Sequence, residues 1–276
     1  MTTFGDLPED QASGRVAEIY EEIRTYGAVP YVSSLQRQLA TVPGCIEWLW
    51  EAVRPAFLDG SVPEAAWDAV RGLDLPALTS VPRPALRAMG VDDDGEAVLQ
   101  GIYETFLRAS PVNMVTASLM GHLLAADATG SGAADVGAPS WQPPAPPPPL
   151  PGFPSDAELG EEGIALLNLF TVDMGGSTFV PGLYRLLAHW PGYLAHVAVD
   201  ILPLFQKPDI LATCHDIVQR IDAVVPPLSR GLTAPPKPFD AATADELRGS
   251  LGVYRGTTSP QTVVFSTLLR DALPGR

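Results

Sequence analysis

Apolar residues recur along this chain at the three- and four-residue spacing of amphipathic helices. Val16, Ile19, Tyr20 and Ile23 mark one such face after a polar start at Ser13. Val98, Ile102, Phe106 and Leu107 mark another after Asp92-Asp93-Asp94. Ile164, Leu167 and Phe170 repeat the pattern in the second half, as do Leu211, Ile217 and Ile221. No run of alternating polar and apolar residues between turn signals asks to be a strand. Pro30, Pro43, Pro63, Pro111, Pro191, Pro208 and Pro260 stand where helical patterns begin, the position at which a missing N–H costs nothing. The triple Asp92-Asp93-Asp94 reads as a helix cap that complements the dipole rather than as a metal cluster. The pattern predicts an all-α protein.

The pattern also occurs twice. At a constant offset of 148, Gly27, Val32, Leu35, Arg37, Leu39, Ala40, Pro43, Gly44, Pro55 and Phe57 return as Gly175, Val180, Leu183, Arg185, Leu187, Ala188, Pro191, Gly192, Pro203 and Phe205. That makes 10 identities in 31 ungapped positions, where average composition gives roughly two or three. Ser110-Pro111 pairs with Ser259-Pro260 at offset 149, and each is followed by a helix-length apolar stretch. Two tandem pseudo-twofold helical repeats are therefore expected to form one compact unit, with a pocket at the interface they share.

The low-complexity stretch falls between the copies. Glycine and serine open it from Thr129, and the run Pro143-Pro-Ala-Pro-Pro-Pro-Pro-Leu-Pro151 stiffens its end. The expected organisation is repeat 1 over 1–128, a Gly/Pro-rich linker over 129–154 and repeat 2 over 155–276.

Charge narrows the partners. A net charge of −15 repels nucleic acid and anionic membranes, so neither is expected as a partner. An anionic small molecule would need a local cationic anchor. Two cysteines without a CxxC pair, no signal-peptide pattern and no long apolar run point to the cytoplasm. His122, His196 and His215 lack ligand spacing, so no metal site is expected.

Val29-Pro30-Tyr31-Val32, Leu39-Ala-Thr-Val-Pro-Gly44, the stretch from Pro82 through Gly90-Val-Asp-Asp-Asp-Gly-Glu96 to Ser110-Pro111, and Ala188-His-Trp-Pro191 resemble the group I 2-haloacid dehalogenases. The resemblance covers most of the chain outside the linker. It implies an all-helical homodimer with a pocket between pseudo-repeats and no cofactor. It also implies hydrolysis of 2-haloalkanoates by direct attack of water. In that family an aspartate on a repeat-two helix is the general base, and an asparagine before a proline places the water. Here those positions are Leu183 and Ser110, and Ser177 to Leu187 holds no Asp, Glu or His. A leucine accepts no proton, and loss of a general base costs about 10²–10⁴-fold in rate.

The candidate catalytic residues are Ser110, Asp173 as a replacement base and His189, whose imidazole suits proton transfer near neutral pH. Asp173 could equally cap its glycine turn, and His189 could bond the carbonyls of a helix end. Candidate substrate-binding residues are Tyr31, Arg37, Asn113, Thr178, Leu183, Tyr184, Arg185 and Tyr254. Arg37 and Arg185 occupy equivalent places, suited either to a ligand carboxylate or to acidic neighbours that tie the repeats together. The expected function is an enzyme of altered chemistry that binds a small, largely apolar or carboxylate-bearing molecule. The alternatives are a non-catalytic binding or scaffold protein, and a true dehalogenase with a replacement base.

Overall fold

The computed structural model describes residues 5–125, 139–173 and 178–275. The Gly/Ser-rich opening of the linker (129–138) and residues 175–177 of the repeated segment lie outside them. The fold is all-α.

In the first half the helices are α1 (Gly14–Gly27), α2 (Ser34–Leu39), α3 (Cys45–Leu58), α4 (Ser61–Ala69), α5 (Arg83–Ala88) and α6 (Asp93–Ala125). In the second they are α7 (Asp156–Asn168), α8 (Gly182–Leu187), α9 (Pro191–Ile201), α10 (Pro208–Ser229), α11 (Ala241–Gly256) and α12 (Thr258–Ala272). Two-residue strands β1 (Val172–Asp173) and β2 (Thr178–Phe179) form a small antiparallel ribbon ahead of α8. Among the described residues this ribbon is the one departure from the expected absence of strands, and it is too short to show a period in sequence. No described helix is long and apolar enough to cross a membrane.

Shifted by 148 residues, α2 lands on α8 end to end, Ser34 on Gly182 and Leu39 on Leu187. The long α6 answers to two helices. Asp93 lands on Ala241 at the start of α11, but the chain breaks at Thr257 (φ −117°, ψ −84°) before α12. Pro111 was expected to start a helix and instead lies inside α6, whereas Pro260 sits in the first turn of α12. The flanking residues account for the difference. Leu107-Arg108-Ala109 are strong helix formers that carry α6 through, while Gly256-Thr257-Thr258 are weak ones that let the chain turn.

Helix α6 runs through the middle, packed against α12, α10, α4 and α11, and its Leu99, Ile102, Tyr103, Met114, Val115 and Leu119 are fully buried. Asp92 Oδ1 accepts from Gly95 N at 2.8 Å and caps its first turn, the role read from the sequence. The buried hydroxyls of Tyr103 and Tyr193 meet at 2.8 Å and tie α6 to α9.

Helices α1 and α3 are clamped by Glu22. Arg54 donates to both its carboxylate oxygens, Nη2 at 2.7 Å, and Trp50 Nε1 donates to Oε2. Burial alone would raise the Glu22 pKa, but the hydrogen bonds from Arg54 and Trp50 outweigh it and hold it below 4.5. A depressed folded-state pKa gives stability that is present above the unfolded value and lost as pH falls through the folded one. Glu22→Gln is therefore expected to cost about 1–2 kcal/mol at pH 7. Urea melts of the two proteins should converge as the pH drops below 4.5.

Candidate functional site

A cavity of about 370 Å³ opens between the two halves. The turn before α2 and α2 itself supply Tyr31, Ser33, Ser34 and Arg37, and α6 supplies Phe106, Ser110 and Asn113. From the second half come Phe179, Pro181 and Gly182, then Arg185 on α8 and Tyr254, Thr258, Ser259 and Thr262 around the α11–α12 break. The last wall is the extended segment Pro149–Phe153, the end of the proline-rich strap.

The inner end is neutral and polar. Ser33 Oγ donates to Gln36 Oε1, and Gln36 Nε2 donates to Asn113 Oδ1 at 2.6 Å. Ser259 Oγ donates to the backbone carbonyl of Tyr254 at 3.0 Å, and the Tyr254 side chain lines this end beside Ser33 and Asn113. Burial raises the pKa of Tyr254 against the lowering effect of Ser259, Ser33 and Asn113, and burial raises that of Tyr31 as well. Both phenols keep their protons and act as donors rather than bases.

The other end is cationic. Arg37 Nε donates to Asp6 Oδ1 at 2.9 Å. Arg185 has no carboxylate within salt-bridge distance among the described residues. Its guanidinium carbon lies over the Phe153 ring, 3.9 Å from the centroid. Burial first, then the charge of Arg37, lower its pKa. Glu9 is the only carboxylate on the walls among the described residues, and it is committed, accepting from Arg24 Nη1 and from Val32 N. No histidine lines the cavity, and no described cluster could hold a metal ion. Burial pushes the thiols of Cys45 and Cys214 up to about 12 and about 11, away from nucleophilic use.

Three solved structures superimpose over nearly the whole chain. A D-2-haloacid dehalogenase in complex with L-LA matches at a TM-score of 0.72 and 19% identity, covering 98% of this chain and 97% of that one. A mutant of a D-2-haloacid dehalogenase matches at 0.73 and 18%, and a mutant with D-2-CPA at 0.72 and 18%, each covering 98% of this chain and 96% of the other. The fold is that of the D-2-haloacid dehalogenases. Neither a protein-family model nor a curated protein sequence matches the chain.

On this dehalogenase fold, Tyr31, Arg37, Ser110, Asn113, Arg185 and Tyr254 come together around the cavity. The other candidates do not reach its walls. In the six-residue α8, Gly182, Arg185 and Leu186 share the face on the cavity, at spacings of three and four. Leu183 and Tyr184 therefore turn to the opposite, buried face, and Tyr184 stacks on Phe170 at 4.2 Å. Asp173 and Thr178 pair in the exposed ribbon, outside the lining. His189 Nε2 bonds the carbonyl oxygen of Gly152 at 2.7 Å, so it fastens the strap instead of facing a ligand.

Sequence reasoning missed Ser33, Gln36, Ser259 and the strap residues Leu150 and Phe153. One signal was available: Gln36 interrupts the apolar face of α2 between Leu35 and Leu39 and is 5% exposed.

Proposed function

We propose that the chain binds a small carboxylate-bearing molecule in the cavity between its halves and lacks the base-driven hydrolysis of a dehalogenase. The observation that carries this reading is Arg185. It is a cation partly removed from water, it sits over the Phe153 ring, and it has no carboxylate partner within 4.0 Å among the described residues. The ring is no conventional hydrogen-bond acceptor, so the guanidinium fork that matches a carboxylate is left for a ligand. The lining supports the second half of the reading, because Glu9 is tied down and Leu183 points away. Nothing else on the described walls accepts a proton from water at neutral pH.

A second reading, an enzyme of altered chemistry in the same cavity, is favoured by its inner end, where Ser33, Gln36 and Asn113 are linked by hydrogen bonds beside Tyr254. Its protonated phenol can hold a water or donate a hydrogen bond to a developing oxyanion.

Purified protein given racemic 2-chloropropionate is expected to release no halide above background. In the same buffer, small carboxylates are expected to raise the melting temperature by mass action. Halide release would overturn the loss of hydrolysis. A melting curve unmoved by any carboxylate would overturn the anchor.

A further inference from the structure

We propose that the natural ligand is a ring-bearing monocarboxylate with a hydrogen-bonding group at the end far from its carboxylate, a hydroxylated aryl acid rather than a short haloalkanoate. The inference deepens, and rests on, the reading of Arg185 as a carboxylate anchor.

Charge sets the number of carboxylates. Of the three charged groups on the described walls, Arg37 is matched by Asp6 and Glu9 by Arg24. Arg185 alone is left over, so one anionic group balances the cavity.

Size sets the body. About 370 Å³ holds about a dozen waters at their liquid volume, and a short-chain haloacid fills about half of that. The remainder would stay as void or water beside Phe106, Phe179, Phe153 and Leu150. Tyr31 and Phe106 already lie 5.9 Å apart with tilted rings, an arrangement into which a third ring fits edge or face on.

Position sets the far group. Arg185 and Arg37 are only half-buried, whereas Ser33 and Asn113 are buried, so the cation marks the outer end. Tyr254, Ser33 and Asn113 mark the inner end, where a narrower recess lined by Tyr31, Ser33, Asn113 and Gln36 continues into the first half. Asn113 spends its carbonyl oxygen on Gln36, which leaves its amide N–H groups to donate. Tyr254 keeps its proton. A floor of donors would be left unsatisfied by an apolar tip, whereas a phenol hydroxyl accepts from it.

The test is calorimetric titration of the full chain with 4-hydroxyphenylacetate, phenylacetate, propionate and 2-(4-hydroxyphenyl)ethanol. Expected is an order in which 4-hydroxyphenylacetate binds about tenfold tighter than phenylacetate, and propionate and the uncharged alcohol each bind at least about tenfold weaker than 4-hydroxyphenylacetate. Tyr254→Phe should erase the preference for the hydroxylated acid, the two aryl acids then binding alike. Propionate binding as tightly as the aryl acids would overturn the ring while leaving the anchor standing. An alcohol as tight as its acid would overturn the anchor. Equal binding of the two aryl acids to the unmodified chain would overturn the far-end group, and no heat from any of the four would overturn both readings.

Discussion

Arg185→Gln is expected to weaken binding of phenylacetate by about 10- to 100-fold, the loss of a charge-assisted, two-pronged hydrogen bond. The melting temperature of the unliganded protein should stay level or rise. Both outcomes follow from one environment. Burial and the neighbouring Arg37 act against the charged form of Arg185, and no described carboxylate within 4.0 Å offsets them. Folding therefore works against this cation until an anion arrives, and glutamine removes the charge while keeping much of the stem. What is lost is the contact with the Phe153 ring, a modest contribution at an exposed ring. A structural arginine would behave in the opposite way. A variant that melts several degrees lower with unchanged phenylacetate affinity would sink the assignment.

Gly60→Ala is expected to cost about 2–4 kcal/mol and to loosen ligand binding from a distance. Gly60 sits between α3 and α4 with φ +80°, in the left-handed region where a Cβ is strained. That Cβ would also lie 2.5 Å from the ring atoms of Trp141 nearest its own backbone. These atoms cannot swing aside without moving the chain that carries them. Trp141 opens the strap: its backbone N–H donates to Leu58 O at 3.2 Å and its Nε1 to Glu64 at 2.9 Å. Arg108 then holds Ala145 O at 2.6 Å, and Pro148 lies over Gly101 of α6. Phe153 and Leu150, at the far end, form a cavity wall. Urea unfolding measures the stability change, and a phenylacetate titration of the folded variant measures the coupling. A difference under about 0.5 kcal/mol, within the range of an indifferent surface substitution, would show that Trp141 gives way freely.

Much of this molecule was legible in one dimension because its information is periodic. Val16, Ile19, Tyr20 and Ile23 recur at helical spacing, and Ile19, Tyr20 and Ile23 are buried on α1. Helices α2 and α8 both fall within the segment that recurs at the 148-residue offset. The site was legible only in part. Arg37 and Arg185 stood out because they recur, and Ser110 because it precedes Pro111 at the place where the resembling family carries an asparagine. Leu183 and Tyr184 were placed with the site and belong to the core, since on a six-residue helix one position separates a cavity face from a buried one. His189 carries the side chain best suited to proton transfer and is occupied by the strap carbonyl.

By itself the sequence determined the helical class, the recurrence of one stretch of residues at an offset of 148, the acidic character that makes a local cation necessary for any anionic ligand, and the absence of an acidic or imidazole side chain along α8. These are properties of composition and spacing, which local sterics and hydrogen bonding turn into structure without reference to distant residues. Only the tertiary structure decided which charges cancel. Arg37 meets Asp6 across 31 positions, Glu9 meets Arg24 across 15, and Arg185 is left with an aromatic ring brought by the strap from 32 positions away. Pairing of charges depends on where the folded chain sets them in space and how much water it leaves around them, and neither quantity is written in the order of the residues.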